Sequence, residues 1–196
     1  EIPGRDLDGR EDLRHVPFIT IDGETARDFD DAVYVERRKS GYRLWVAIAD
    51  VSHYVTPGSA LDREALSRGT SVYFPERAFH MLPHALSTHL CSLRPHEPRL
   101  AMVCWIDYDR NGKPHDVDVM EAVIESKRRA TYAEIAAEFE EHGRDGDWQY
   151  QPQFELYRLI RKSRTERGSI DFDLPEADVV VDSQGEPQAI ENRARN

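Results

Sequence analysis

Cysteine is nearly absent from this chain: 196 residues include only Cys91 and Cys104, each inside an apolar segment. Neither has a second ligand at metal spacing, which argues against a Cys/His zinc site. The pair reads as reduced, buried thiols of a cytoplasmic protein. Long hydrophobic runs are missing too. No stretch approaches a membrane span in length, and the charged start lacks the apolar segment of a signal peptide. Positive charge is in deficit, with 26 Lys and Arg against 37 Asp and Glu and a formal net charge of −11. A nonspecific nucleic-acid-binding surface should be basic, so this balance argues against autonomous binding of that kind. Repeats and low-complexity tracts are lacking as well. Hydrophobic residues make up 39% of the chain, below the globular norm, yet the runs at 44–51 and 100–106 are apolar enough to build a core. The length suits one domain or one large piece of a bigger one.

What is present is β-rich first and helical later. Residues 1–15 are polar, without periodicity, and read as a lead-in linker. Runs 30–36 and 42–51 are rich in β-formers and flank a Gly-containing connection at 37–41, the pattern of a hairpin. Pro57 and Gly58 break the sheet, and residues 60–67 read as a short helix stopped by Gly69. Residues 71–74 read as extended, 83–93 as helical, and 99–108 with 116–126 as a second antiparallel pair. From Thr131 the apolar period becomes helical, with Ala133, Ile135, Ala136 and Phe139, joined by Tyr132, on one face and Gly143 as the stop. Polar residues 143–152 form a loop. Phe154, Leu156, Tyr157, Leu159 and Ile160 mark a second amphipathic helix, whose basic end suits the helix dipole. Residues 170–190 alternate weakly, and no stop signal follows. The pattern predicts an α+β domain, a mixed or antiparallel sheet carrying helices.

The densest chemistry is acidic. Asp22, Asp28, Asp30 and Asp31 fall within ten residues, bracketed by Val16, Phe18, Ile19 and Ile21 before and by Ala32, Val33 and Val35 after. Like charges at short range raise one another's pKa. A divalent cation removes the repulsion, and hard oxygen ligands suit Mg²⁺ or Mn²⁺. In an extended stretch Asp28 and Asp30 share a face and Asp31 takes the other. A bend at 30–31 would gather Asp22, Asp28 and Asp31 round one centre. In two-metal phosphate chemistry, ions about 4 Å apart activate water and steady the leaving oxygen. The competing reading is a solvated acidic loop; the apolar flanks and the lack of neighbouring lysines favour the cation site.

A second acidic stretch, with Asp107, Asp109, Asn111 and Asp118, approaches an EF-hand calcium loop. It ends in Asp rather than Glu and lies between β-rich runs, so Asn111 and Gly112 read as a hairpin turn. Asp50 and His53 close an apolar run with nothing to fix a nucleophile–base geometry, and read as structural.

Several longer motifs occur in one order: DLR at 12–14, PFITIDGE at 17–24, ARDFDDAV at 26–33, LWVAIADVS at 44–52, RGTSVYFP at 68–75, MLP at 81–83, LCSL at 90–93, RLAMVC at 99–104, ESK at 125–127 and RGSIDF at 167–172. Together they resemble the opening of the catalytic domain of the ribonuclease II/ribonuclease R family, across nearly the whole chain. The resemblance implies a hydrolytic 3′-to-5′ exoribonuclease that acts on single-stranded RNA with Mg²⁺ and releases nucleoside 5′-monophosphates. It makes residues 16–196 the front part of that catalytic domain. By position, Asp22, Asp28 and Asp31 resemble the metal-holding aspartates. Asp30 resembles the acid whose loss stops the chemical step while RNA still binds.

Tyr132 resembles a tyrosine packed against the terminal nucleotide, and Tyr73 an aromatic that stacks on the incoming strand. Base–aromatic stacking is worth about 1–3 kcal/mol per base and tolerates any sequence. On the residues alone, both tyrosines read as core or strand aromatics. His80, His84 and His89 depart from the family pattern, where proline, an acid and a small residue are usual. They read as surface variation, or as groups that stack on bases or titrate near about pH 6.5. The family also has downstream helices with a needed arginine and glutamate, whose start Arg195 and Asn196 match, and RNA-binding barrels on either side. Those barrels are the partners the resemblance implies. The competing class is an inactive RNA-binding module that keeps the fold, against which the four intact acids argue.

Overall fold

The computed structural model describes residues 2–74, 77–142, 148–170, 176–183 and 186–193. Gly143, Pro75, Asp171, Phe172, Arg195 and Asn196, used in the sequence reading, lie outside the described residues. In chain order the elements are β1 (Glu11–Asp12), β2 (Ile19–Asp22), β3 (Asp31–Arg38), β4 (Gly41–Ala49), α1 (Val51–Tyr54), α2 (Ala60–Arg68), β5 (Val72–Tyr73) and β6 (Ala78–Phe79). A wide helical turn, Leu86–Leu90, precedes β7 (Pro98–Asp109), β8 (Pro114–Glu125), β9 (Arg128–Thr131), α3 (Tyr132–His142), α4 (Gln151–Glu166), β10 (Glu176–Val181) and β11 (Pro187–Arg193).

Seven strands form the main sheet in the order β1-β8-β7-β4-β3-β2-β9. The two outer pairings, β1 with β8 and β2 with β9, are parallel, and the pairings between them are antiparallel. This is the mixed sheet with helices that the α+β pattern predicts. One face is lined by small residues in register: Ala32 opposite Ala47, Ala47 opposite Val103, and Ala101 opposite Ala122. Their short side chains let Leu86, Cys91 and Leu93 pack directly on the sheet, burying all three. The other face carries α3 and α4, whose Ile135, Phe139 and Phe154 join Ile19, Ala130, Trp148 and Tyr150.

The two long hairpins follow turn chemistry. Gly41 opens β4 at φ +152°, and a Cβ there would lie 2.0 Å from the Tyr108 carbonyl oxygen, so only glycine fits. At the tip of the β7–β8 hairpin, Gly112 takes φ +76°, and Asp109 Oδ1 accepts the N–H groups of Asn111 (2.8 Å) and Lys113 (2.9 Å). Asp107 is gripped by Arg43 through two 2.6 Å bonds. These carboxylates are already matched, and the stretch is a hairpin rather than a calcium loop.

Three local expectations are corrected. The polar first fifteen residues are not a free linker: Glu11 and Asp12 pair with Ala122 and Val123, and Leu13 is buried. A lone buried leucine among charges carries no periodicity. The helix expected over 83–93 is helical only over 84–90, because Cys91, Ser92 and Leu93 leave it to pack against the loop before β3. On α3 only Ile135 is fully buried, while Tyr132, Ala133 and Ala136 are exposed, because this helix meets the sheet at its β9–β2 edge. Cys91 is buried and Cys104 half-buried, and both are free thiols. Among the described residues no helix is long and apolar enough to cross a membrane.

Candidate active site

Strand β2 ends at Asp22 and the antiparallel β3 begins at Asp31, so both acids stand at one end of the sheet with residues 23–30 looping between them. Segments remote in sequence strap that loop. Ser92 Oγ accepts the N–H of Phe29 and donates to the Arg27 carbonyl, both at 3.1 Å, so it straddles Asp28. Leu93 N–H donates to the Phe29 carbonyl at 2.8 Å, and Ala49 N–H to the Asp30 carbonyl at 2.9 Å. Phe29 is buried as the anchor, leaving Asp28 half-buried and Asp30 exposed on either side. The start of the loop is held by Arg129, whose Nη2 donates to the carbonyls of Gly23 (2.6 Å) and Glu24 (2.9 Å). Arg99 fixes the strap itself, its Nε donating to the carbonyls of His89 (3.0 Å) and Ser92 (2.9 Å).

The acids repel one another where the loop gathers them. Burial, and then the charge of Asp31, push Asp22 up to about 6, against the opposing pull of Arg129. Partial burial, followed by Asp28 and Asp31, also raises the Asp30 carboxyl. Asp22 Oδ2 is buried without a hydrogen-bond partner among the described residues, an unmet acceptor of the kind folded proteins rarely leave. The donor set is all carboxylate oxygen, which fits a hard divalent cation such as Mg²⁺ or Mn²⁺. Among the described residues no three Asp, Glu, His or Cys side chains close into a ready cage. Mg²⁺ does not require such a cage, since it keeps several waters and takes one or two carboxylates plus substrate phosphate.

The two tyrosines flank the acids from different elements. Thr131 pairs with Asp22 in the parallel ladder, so Tyr132 follows directly beside it, 64% exposed at the start of α3. Tyr73, also 64% exposed, donates its hydroxyl to Asp28 Oδ2 at 3.1 Å. Neither is a core aromatic. Asp50 is structural, bonded to Arg10 (2.6 Å) and Ser52 Oγ (2.6 Å) and capping α1 through His53 N–H (3.1 Å).

Sequence reasoning missed Ser92, Arg99 and Arg129. Ser92 lies inside the LCSL motif, which marked the segment without giving it a role. The lack of neighbouring lysines concealed a cation that β9 supplies from over a hundred residues away.

A mixed sheet with an acid-lined end, flanked by exposed tyrosines, invites comparison with known proteins. The RNB domain matches residues 10–196. Ribonuclease R of Vibrio parahaemolyticus is 45% identical over 206 residues, spanning all of this chain and 24% of that protein. The solved structure of Mycoplasma genitalium RNase R in complex with ribose methylated single-stranded RNA superposes with a TM-score of 0.92 at 32% identity, over 100% of this chain and 32% of the other. Yeast Ssd1, a pseudonuclease, matches at a TM-score of 0.73 and 18% identity over 85% of this chain and 21% of its own, a likeness of fold alone. The chain belongs to the RNB domain family. It spans 24% of the curated relative and 32% of the solved RNase R to which it is compared.

Proposed function

We propose that this chain is the front part of the catalytic domain of a hydrolytic 3′-to-5′ exoribonuclease acting on single-stranded RNA and releasing nucleoside 5′-monophosphates. In this reading residues 16–196 belong to the catalytic domain together with β1 and Leu13 of the preceding segment, which pack into its sheet and core, RNA-binding barrels are its partners, and the setting is cytoplasmic. The observation that carries the reading is the unmatched acid cluster, with Asp22 Oδ2 buried and unpartnered between two exposed tyrosines. A relative named Ribonuclease R and the RNA-bound RNase R structure support the substrate class.

Asp22, Asp28 and Asp31 would hold Mg²⁺ through carboxylate oxygens. Bound there, the cation supplies charge neutralisation and polarisation of a phosphate oxygen. Asp30, made more basic by partial burial and then by Asp28 and Asp31, is suited to take a proton from the attacking water. Tyr132 packs the terminal nucleotide beside Asp22, and Tyr73 stacks on the strand beside Asp28. Ser92 keeps the Asp28–Asp30 backbone in place while these groups act. The second reading, an inactive RNA-binding module, is favoured only by the fold shared with a pseudonuclease.

The test is a 5′-labelled single-stranded RNA incubated with Mg²⁺ and the full-length protein, wild type beside Asp30→Asn. One short labelled end product, lost in the variant, is the expected result. Intact RNA that still binds the wild type would leave the inactive module.

A further inference from the structure

Three histidines form a row that starts at Tyr73. Ring centroids are 6.2 Å apart from Tyr73 to His80, 5.6 Å from His80 to His84, and 6.0 Å from His84 to His89. Because Tyr73 bonds Asp28, the row begins at the acid cluster. Tyr73, His84 and His89 are exposed, and His80 is half-buried with Nδ1 unpartnered among the described residues.

The turn Leu86–Leu90 orders the two exposed rings through one buried hydroxyl. Thr88 Oγ1 lies 3.1 Å from His84 Nδ1, 2.8 Å from His89 Nδ1 and 3.0 Å from the His84 carbonyl. A hydroxyl has a single proton to donate. When Thr88 donates it to the His84 carbonyl, both Nδ1 atoms must donate to Oγ1. Each ring then keeps Nε2 as its open position. Protonation at Nε2 turns both rings from acceptors into cationic donors and leaves the Thr88 bonds intact.

The surroundings offset that positive charge only in part, since the Glu97 carboxylate that feels His89 is also shared with Arg99 and Arg94. Arg68 donates to the His80 carbonyl and is itself paired with Glu64. Arg99 donates to the His89 carbonyl and pairs with Glu97, which also meets Arg94. Asp28 reaches the row only through the Tyr73 hydroxyl. Among the described residues no carboxylate bonds any of the three imidazoles, and no three such side chains form a metal cage.

We infer that His80, His84 and His89 extend the line of Tyr73 as a contact track for single-stranded RNA, with the protonated His84 and His89 taking backbone phosphates. Aromatic faces for bases alternating with cations for phosphates are what a sequence-tolerant single-strand path requires. This rests on the reading of the acid cluster as an RNA-cleaving site.

The test is binding of labelled oligouridylate to the full-length protein in EDTA, across a salt series, at about pH 5.5 and about pH 7.5, which straddle the ordinary histidine pKa. Neither uridine nor the phosphodiester titrates in this window, and the chelator removes both cleavage and metal bridging. Two added cations should steepen the slope of log affinity against log salt by about 1.4 at the lower pH, at about 0.7 per contact. Affinity should rise roughly three- to tenfold, the scale of two exposed ion pairs. Both increments should vanish in His84→Gln/His89→Gln, whose exposed positions tolerate the change.

Asp22 also titrates in this window, but equally in both proteins, so the difference between them isolates the histidines. His84→Arg/His89→Arg should bind tightly at both pH values. An equal response in the wild type and the Gln variant overturns the track and leaves the proposed function standing. No binding by the wild type at either pH overturns both.

Discussion

Two acidic regions of this chain look alike in sequence and behave oppositely in the fold. At the β7–β8 hairpin, Arg43 holds Asp107 well below the usual carboxylate range, and the amides of Lys113 and Asn111 do the same for Asp109. Asp116 and Asp118 accept the N–H groups of Val117 (3.0 Å) and Val119 (2.9 Å). At the end of β2 burial, and then the neighbouring acids, instead raise Asp22 and Asp30, and Asp22 Oδ2 has no partner among the described residues. Acid density does not mark a site; unmatched acid does. A carboxylate bonded to arginine or amides is stabilised as it stands, whereas a crowded one gains most from a cation or a phosphate-bound metal.

The sharpest way to break this contrast is by exchange of effects. Asp30→Asn should lower RNA cleavage by at least roughly 10²–10³-fold, the scale of losing one preorganised electrostatic group. Asp107→Asn should leave the rate within about twofold, since it touches only the hairpin. Product analysis on a 5′-labelled strand reads both, and equal losses would erase the distinction between the regions.

Ser92→Ala tests whether the acid loop depends on its strap. The buried Phe29 amide and Arg27 carbonyl would each lose a partner, at a cost of about 1–3 kcal/mol. Cleavage should fall roughly tenfold through kcat, while RNA affinity measured in EDTA stays unchanged. A loss of affinity equal to the loss of rate would make Ser92 merely structural.

Cation binding should separate the two regions by stability alone. At ten times its Kd, Mg²⁺ should raise the melting temperature of the wild type by about 3–6 °C at neutral pH. Asp22→Asn or Asp31→Asn should abolish that shift, and Asp107→Asn should preserve it.

The smallest effect is on pH dependence without metal. Asp22 is raised to about 6, so between its unfolded value and about 6 the folded chain holds a proton that the unfolded chain has released. Its contribution therefore declines as pH rises through that window, by about 1–2 kcal/mol after allowing for solvent screening. Asp107, with its pKa lowered, has the opposite sign: its contribution is present above the unfolded value and is lost as pH falls through the folded one. Chemical denaturation across pH 4–7 should show the Asp22 slope flattened in Asp22→Asn and unchanged in Asp107→Asn.

Much of this was legible residue by residue. Period-two runs produced β3, β4, β7 and β8 close to their observed bounds, and Asn111 with Gly112 identified the hairpin turn against the calcium loop. The acid cluster was legible as a cluster. Its strap was not, because Ser92 lies 63 residues from Phe29 and Arg129 lies 106 from Gly23. Neither has a local pattern that differs from an ordinary serine or arginine. The parallel pairing of β2 with β9 was hidden for the same reason, since four-residue strands leave little periodic signal.

The sequence by itself determined where charge and apolar surface alternate, and hence the strands, the turns and the number of acids crowded before β3. Those are short-range properties, set by side-chain period and by the backbone preferences of glycine and asparagine. The tertiary structure decided what local amides could not: Asp109, Asp116 and Asp118 are held by amides within four residues, but Asp107 depends on Arg43 from a neighbouring strand, 64 residues away. Asp22 Oδ2 gains no such bond among the described residues, although Arg129 pulls on the group from β9, because compensation of that kind depends on distance through space.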